Sequence, residues 1–247
     1  MADTGLKKTK ELFLQILFPK TCPICEDILE KHREICSKCE KDLQYISEPK
    51  CKKCSKPFEA LQEGEQIREY CHDCTKTAHS YKFGMSVFQY NDKIKQSIYR
   101  FKYQNQRTYA GFYGKAMALR YGGIIRESGI QILMPVPVSH KKKIIRGYNQ
   151  AELMAQVLGK ELNIPVDTDA LIRSRDTVPQ KELNINERRN NLKNAFKIKE
   201  NVIEYKKILL VDDIYTTGST IDACAEALRQ AGAKEVYFIS LSIGAGI

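Results

Sequence analysis

No stretch of this sequence stays apolar for long enough to cross a membrane. The longest candidate near the start, Leu12 to Phe18, is interrupted by Gln15 and falls far short of the roughly 20 residues a spanning helix needs. Lys7 and Lys8 ahead of it resemble the start of a secretion signal, but Pro19-Lys20-Thr21-Cys22 lacks the small-residue cleavage pattern. The stretch therefore reads as a short amphipathic helix docked on its own protein, with no membrane insertion. Apolar residues are also scarce among the first eight cysteines, so that region cannot fold on a hydrophobic core alone. The chain as a whole has no such shortage: 43% hydrophobic and 28% charged residues over 247 positions is the balance of a globular protein and excludes general disorder.

Eight of the nine cysteines fall in pairs with a two-residue spacer: Cys22 and Cys25, Cys36 and Cys39, Cys51 and Cys54, Cys71 and Cys74. Apart from these pairs the sequence has no internal repeat. The spacing is that of metal knuckles rather than of a disulfide framework, which predicts a reducing, cytoplasmic setting. A two-residue spacer lets both sulfurs approach one ion, and Zn²⁺ accepts four thiolates tetrahedrally at about 2.3 Å. Four knuckles thus predict two structural Zn²⁺ ions, and metal binding supplies the folding free energy the core cannot. Closed four-cysteine sites leave no open position for catalysis. The spacing permits either sequential or interleaved pairing, and four complete pairs leave no vacancy for His32, His72 or His79.

With eight thiolates on two Zn²⁺ the formal charge of +10 falls to +6. A basic balance favours phosphates, nucleic acid or anionic surfaces. Lys38, Lys41, Lys50, Lys52, Lys53 and Lys56 lie within and between the knuckles, either as a phosphate-facing strip or as solvated surface.

Beyond Cys74 ordinary periodicity takes over, which puts a boundary near residue 80: a zinc-binding module over 1–80 and a second domain over 81–247. Phe83 to Tyr90 reads as a strand and Asn91 as the cap of a helix bearing Ile94, Ile98 and Phe101. A helix follows around Gly114 to Glu127, then a strand at Ile132 to Val138 and a helix from Gln150 to Leu162. The chain ends with a strand at Lys207 to Val211, a helix from Thr220 to Gln230 closed by Gly232, and a strand at Glu235 to Leu241. This alternation predicts an α/β fold with a mainly parallel sheet flanked by helices, and ligands at the C-terminal strand ends. Cys224 reads as core.

The most informative segment is Lys207 to Thr220. A buried strand is terminated by Asp212-Asp213, and Ile214-Tyr-Thr-Thr-Gly-Ser-Thr220 turns into the next helix. Exposed N–H groups and the helix dipole at such a turn form an anion site. Gly218 permits close approach, and the hydroxyls of Thr216, Thr217, Ser219 and Thr220 add donors. Asp212 and Asp213 can accept hydrogen bonds from two adjacent ribose hydroxyls.

A hydrophobic strand, two acids and Thr-Thr-Gly-Ser-Thr resemble the signature of the type I phosphoribosyltransferases. Three further segments narrow the match: Met134-Pro-Val-Pro-Val138; His140, Lys141 to Lys143 and Arg146-Gly-Tyr-Asn-Gln150 at a helix start; and Arg173, Arg175, Thr177, Gln180, Leu183, Arg188, Arg189, Asn191, Ala195 and Phe196. With the cysteine knuckles, this pattern resembles the ComF family of competence-associated proteins over nearly the whole chain. The resemblance implies a type I phosphoribosyltransferase fold behind a zinc ribbon. It implies that Asp212 and Asp213 hold the ribose of phosphoribosyl pyrophosphate while Thr216 to Thr220 wrap its 5′-phosphate. Val138, Ser139 and Arg146 would face the pyrophosphate with Mg²⁺, and Arg173 to Asn191 would form a mobile hood in which Arg173, Arg175 and Arg188 contact pyrophosphate or nucleic acid. Three activities stay open: a transferase with an unassigned acceptor, a handler of single-stranded DNA in uptake and transformation alongside other competence proteins, and a sensor of the donor.

Overall fold

A computed structural model describes residues 19–30, 32–58, 68–174, 192, 194–199 and 203–244. The helix expected at Leu12 to Phe18 and most of the expected hood, including Arg175, Thr177, Gln180, Leu183, Arg188, Arg189 and Asn191, lie outside them. The chain divides into two compact units, 1–43 and 44–247.

The smaller unit is organised by its two knuckles. A turn at Cys22–Cys25 is closed by Cys22 N–H donating to the Asp27 carbonyl and Glu26 N–H to the Cys22 carbonyl (2.8 and 2.9 Å). The second knuckle opens a short helix, α1 (Ser37–Asp42), whose cap is Cys36 itself. Ion pairs Lys20–Glu34 and Arg33–Glu40 lie on its surface.

The larger unit begins with the third knuckle and α2 (His72–Lys76), which the fourth knuckle opens. It continues as β1 (Gly84–Gln89), α3 (Asp92–Tyr103), α4 (Tyr109–Glu127), β2 (Ile132–Pro135), α5 (His140–Arg146), α6 (Gln150–Leu162), β3 (Leu171–Arg173), β4 (Phe196–Ile198), β5 (Lys207–Tyr215), α7 (Ser219–Gln230) and β6 (Glu235–Ile243). Four strands make a parallel sheet in the order β1-β6-β5-β2, and β3 pairs with β4 antiparallel. Both central strands are buried over consecutive residues, Ile208 to Val211 and Val236 to Ile239. A parallel sheet covered on both faces selects such unbroken apolar runs.

Asn91 caps α3 by accepting from Ile94 N–H (3.0 Å), and Ile94, Ile98 and Phe101 are buried, as the periodicity predicts. Three expectations need correction. Asp212 and Asp213 do not end their strand: β5 runs on to Tyr215, because Asp212, Ile214 and Tyr215 keep their ladder with Ser240, Ser242 and Ile243 of β6. Arg146 is not at a helix start but closes α5; Gly147 then adopts φ +74°, and Asn149 caps α6 by accepting from Ala151 N–H. β2 stops at Pro135, with Val138 in a connecting segment and Ser139 as the α5 cap, its hydroxyl accepting from Lys142 N–H.

No helix among the described residues is long and apolar enough to cross a membrane.

Candidate functional site

β5 occupies the middle of the sheet, so its C-terminal end delivers Asp212 and Asp213 to the edge where parallel sheets receive ligands. They are followed by the Thr216 to Thr220 loop. Gly218 sits at φ +80° as the residue preceding α7 and offers that helix no side-chain cap, which leaves the positive N-terminus facing the loop. Thr217 and Ser219 hydroxyls are 3.0 Å apart. A Cβ on Gly218 would lie 2.5 Å from Tyr215 Oη and 3.2 Å from His79 Cε1, so only glycine fits.

The acidic pair is half-buried. Asp213 N–H donates to Asp212 Oδ1 (2.8 Å), and Lys102 Nζ from the last turn of α3 pairs with Asp213 Oδ2 at 2.6 Å. Burial first, then the adjacent Asp213 charge, pushes the Asp212 carboxyl up to about 7, against the pull of Lys102 and Lys142. Lys142 on α5 is held below its ordinary range by desolvation of its ammonium and by the charges of Arg146, Arg173 and Lys102. Lys102, Lys142, Arg146 and Arg173 therefore share one positive field in front of two carboxylates.

The folding of this corner is specific. The Phe101 carbonyl, at the end of α3, accepts from Tyr148 Oη and from Gln150 Nε2 (3.4 Å), which clamps α3 to the α5–α6 junction. Arg146 donates to Gln150 Oε1 (2.9 Å) and Tyr103 Oη (3.1 Å), with its guanidinium 5.0 Å from the Tyr103 ring centroid. Asn149 Nδ2 donates to the Val136 carbonyl and Val136 N–H to the Val211 carbonyl (3.0 and 2.9 Å), which holds the Pro135-to-Ser139 segment beside β5. Ser139 is buried there and Val138 half-buried. Arg173 places its guanidinium over Phe196. The sequence-derived candidates Asp212, Asp213, Arg146 and Arg173 thus converge electrostatically, with Val138 and Ser139 in the segment that follows β2, beside β5; Arg175 lies outside the described residues.

Lys102 and Tyr103 escaped the sequence reading, since an amphipathic helix ending in Phe-Lys-Tyr carries no signal of what it faces. His79 escaped it too. Its Nδ1 lies 2.7 Å from Asp222 Oδ2 on α7, whose other oxygen accepts from Ser80 N–H (2.9 Å). The ring stacks on Tyr81 (4.7 Å), and Tyr81 Oη meets Tyr215 Oη at 2.7 Å. His79 thus supports the Thr216 to Thr220 loop from the protein side and belongs to neither cysteine set.

The cysteines assemble in sequence order: Cys22, Cys25, Cys36 and Cys39 in one set, Cys51, Cys54, Cys71 and Cys74 in the other, the sulfurs of each within 4.8 Å of one another. Tetrahedral zinc at about 2.3 Å separates its sulfurs by roughly 3.8 Å. Cys25 to Cys36 at 3.6 Å and Cys54 to Cys71 at 3.7 Å match that edge. Backbone N–H groups of Cys39 and Cys71 point at sulfurs of Cys36 and Cys51. Both donor sets fit Zn²⁺, and the interleaved pairing is excluded. The lysine strip is not free at the second set: Lys50 and Lys56 pair with Glu48 and Asp73, Lys52 with Glu69, and Lys53 donates to the Tyr81 carbonyl.

Known families match both parts of the chain: the double zinc ribbon domain over residues 13–75 and the phosphoribosyl transferase domain over residues 146–242. Competence protein F of Haemophilus influenzae is 32% identical over 213 residues, covering 84% of this chain and 90% of the relative. The DNA utilization protein YhgH of Escherichia coli K12 is 28% identical over 222 residues, with 88% and 94% covered. Competence protein ComFC of Bacillus subtilis is 26% identical over 211 residues, with 83% and 82% covered. Two four-cysteine sets suited to zinc, a phosphoribosyltransferase-type sheet and these relatives place the chain in the ComF family of competence and DNA-utilisation proteins.

Proposed function

We propose that the chain binds phosphoribosyl pyrophosphate with Mg²⁺ and handles single-stranded DNA in the cytoplasm, in uptake or utilisation of DNA. The observation that carries this reading is the acidic pair delivered by β5 directly ahead of an uncapped helix N-terminus at Gly218. Thr216, Thr217, Gly218, Ser219 and Thr220 enclose the 5′-phosphate, and Asp212 and Asp213 accept from the ribose hydroxyls. The pyrophosphate lies against Val138, Ser139, Arg146 and Arg173, where Mg²⁺ helps to offset its charge. Lys102 exchanges Asp213 for the incoming phosphates, so the ribose finds a free carboxylate. The working division is by chemistry, residues 1–80 for metal and 81–247 for the donor. The names of the relatives support DNA as the partner, as does the basic balance of the chain.

A second reading, transfer of the phosphoribosyl group to a small acceptor with release of pyrophosphate, is favoured by the Asp212 carboxyl poised near neutrality, where proton transfer is efficient. Calorimetric titration with Mg²⁺ and phosphoribosyl pyrophosphate tests the donor site. Replacing Asp212 and Asp213 by Asn should weaken binding at least tenfold, the loss expected when charge-assisted hydrogen bonds become neutral ones, with zinc content unchanged. Equal affinity would remove the pair from the site. Pyrophosphate release on adding a small-molecule acceptor would decide for the transferase.

A further inference from the structure

α3 buries Ile94, Ile98 and Phe101 on one face and leaves two aromatic rings in solvent on the other: Tyr99 is 56% exposed and Tyr103 53%. Four residues apart on a helix, the two lie side by side, with ring centroids 5.1 Å apart and planes tilted by 44°. The hydrophobic core does not account for them. Tyr103 is held in place by the Arg146 guanidinium, which donates to its hydroxyl and covers its ring. Residue 102, between the two rings and the acidic pair, is the lysine bonded to Asp213. The exposed rings therefore border the candidate phosphoribosyl site.

The charge around them is mainly positive. Residues 93–107 hold Lys93, Lys95, Lys102 and Arg107 besides the buried Arg100, and residues 139–151 hold Lys141, Lys142, Lys143 and Arg146; the bordering acids are Asp92 and Glu152. These two segments meet at the Tyr103–Arg146 contact. Of the two acids of the candidate site, Asp213 is paired with Lys102. Exposed aromatic rings within a positive strip are the pattern by which proteins bind single strands: bases stack on the rings and phosphates follow the cations.

We propose that Tyr99 and Tyr103 form a base-stacking platform for single-stranded nucleic acid, with the phosphates of the strand running over the Lys141-to-Arg146 helix. The proposal rests on the DNA-handling reading above and gives it a location. Duplex DNA fits it poorly, because paired bases do not present their faces.

The test uses full-length, zinc-loaded protein and a fluorescein-labelled 20-mer of thymidylate read by anisotropy, with calorimetric titration of Mg²⁺ and phosphoribosyl pyrophosphate as the control. Tyr99→Ala should weaken oligonucleotide binding about 5- to 100-fold and leave donor binding within twofold, since Tyr99 does not touch Arg146. Tyr99→Phe keeps the ring and should bind like the parent. Lys141→Ala with Lys143→Ala should make the salt slope shallower by about 1.4, two contacts at roughly 0.7 each. Unchanged oligonucleotide affinity in Tyr99→Ala, with the parent binding normally, overturns the platform and leaves the DNA reading standing. Equal affinity of the parent for a duplex of the same length also overturns it. No binding by the parent at all would overturn the DNA reading itself. Loss of donor binding alongside oligonucleotide binding in Tyr99→Ala would mean the ring acts on the donor site, which again refutes the platform.

Discussion

Replacing Gly218 by Ala probes the loop at its tightest point. The backbone there has φ +80°, a left-handed conformation that costs a residue with a Cβ about 1–2 kcal/mol. The new methyl would also sit 2.5 Å from Tyr215 Oη. That oxygen cannot simply step aside, because it shares a buried hydrogen bond of 2.7 Å with Tyr81 Oη, and breaking such a bond costs about 1–3 kcal/mol. The two effects together predict a loss of about 2–5 kcal/mol in urea unfolding and a matching weakening of donor binding in calorimetry. Tyr215→Phe removes the clashing oxygen. Its next contacts, Tyr215 Cζ and His79 Cε1 at 3.1 and 3.2 Å, are tight but tolerable. Measured against Tyr215→Phe alone, Gly218→Ala should then cost only the backbone part, about 1–2 kcal/mol. A single Gly218→Ala variant within about 0.5 kcal/mol of the parent, the range of an innocuous surface change, would refute the reasoning, as would a penalty that Tyr215→Phe does not reduce.

Asp212 gives a pH prediction. Its folded carboxyl titrates near 7 against about 3.9 in an unfolded chain, so between those values the folded state holds the extra proton and stability falls as pH rises, by up to about 1.4 kcal/mol per unit. Subtracting an Asp212→Asn profile from that of the parent between pH 5.5 and 8 should expose this slope below pH 7 and a plateau above it; parallel profiles would show that Asp212 ionises normally. For the metal sites, thiol titration in the presence of a zinc-sensitive dye should release about two Zn²⁺ per chain, and Cys54→Ser should release one fewer and lower the melting temperature, because Cys54 is buried in the core cluster that contains Tyr215 and Tyr81. An unchanged melting temperature would separate that metal from the core.

The parts of the fold legible in the sequence were those whose residues act locally. Asn91 before Ile94 and Ile98 announces a helix start whatever packs on it, and Ile208 to Val211 announce a strand covered on both sides. The cysteine spacers likewise fix which thiols lie near each other within a knuckle. Where partners come from elsewhere in the chain, local pattern misled. Asp212 and Asp213 look like strand breakers, yet the β6 ladder carries β5 through them to Tyr215. His140 to Arg146 carries no apolar helical stripe, yet capping by Ser139 and Gly147 makes it a helix, on which Lys141 to Lys143 stay exposed as a charged run. Lys102 and Tyr103 became site neighbours only because Tyr148 and Gln150, nearly fifty residues away, hold the Phe101 carbonyl.

The same long-range logic explains why a four-cysteine set belongs to the unit that carries the Thr216 to Thr220 loop. Cys51, Cys54 and Cys71 are buried with Tyr81, Tyr215 and Phe238 in one cluster. From that cluster Tyr215 reaches Gly218 directly, while Tyr81 stacks on His79, which grips Asp222 in the first turn of α7. The loop is therefore braced on both flanks by residues whose own packing depends on the cysteine set. A loop that holds an anion through backbone N–H groups gains affinity only when those groups are fixed beforehand, and here the fixing runs from buried thiolates through two tyrosines and a histidine. Loss of metal from this set should thus weaken any grip on phosphate before it unfolds the sheet, because Ile208 to Val211 of β5 and Val236 to Ile243 of β6 are buried while the loop leans on this brace.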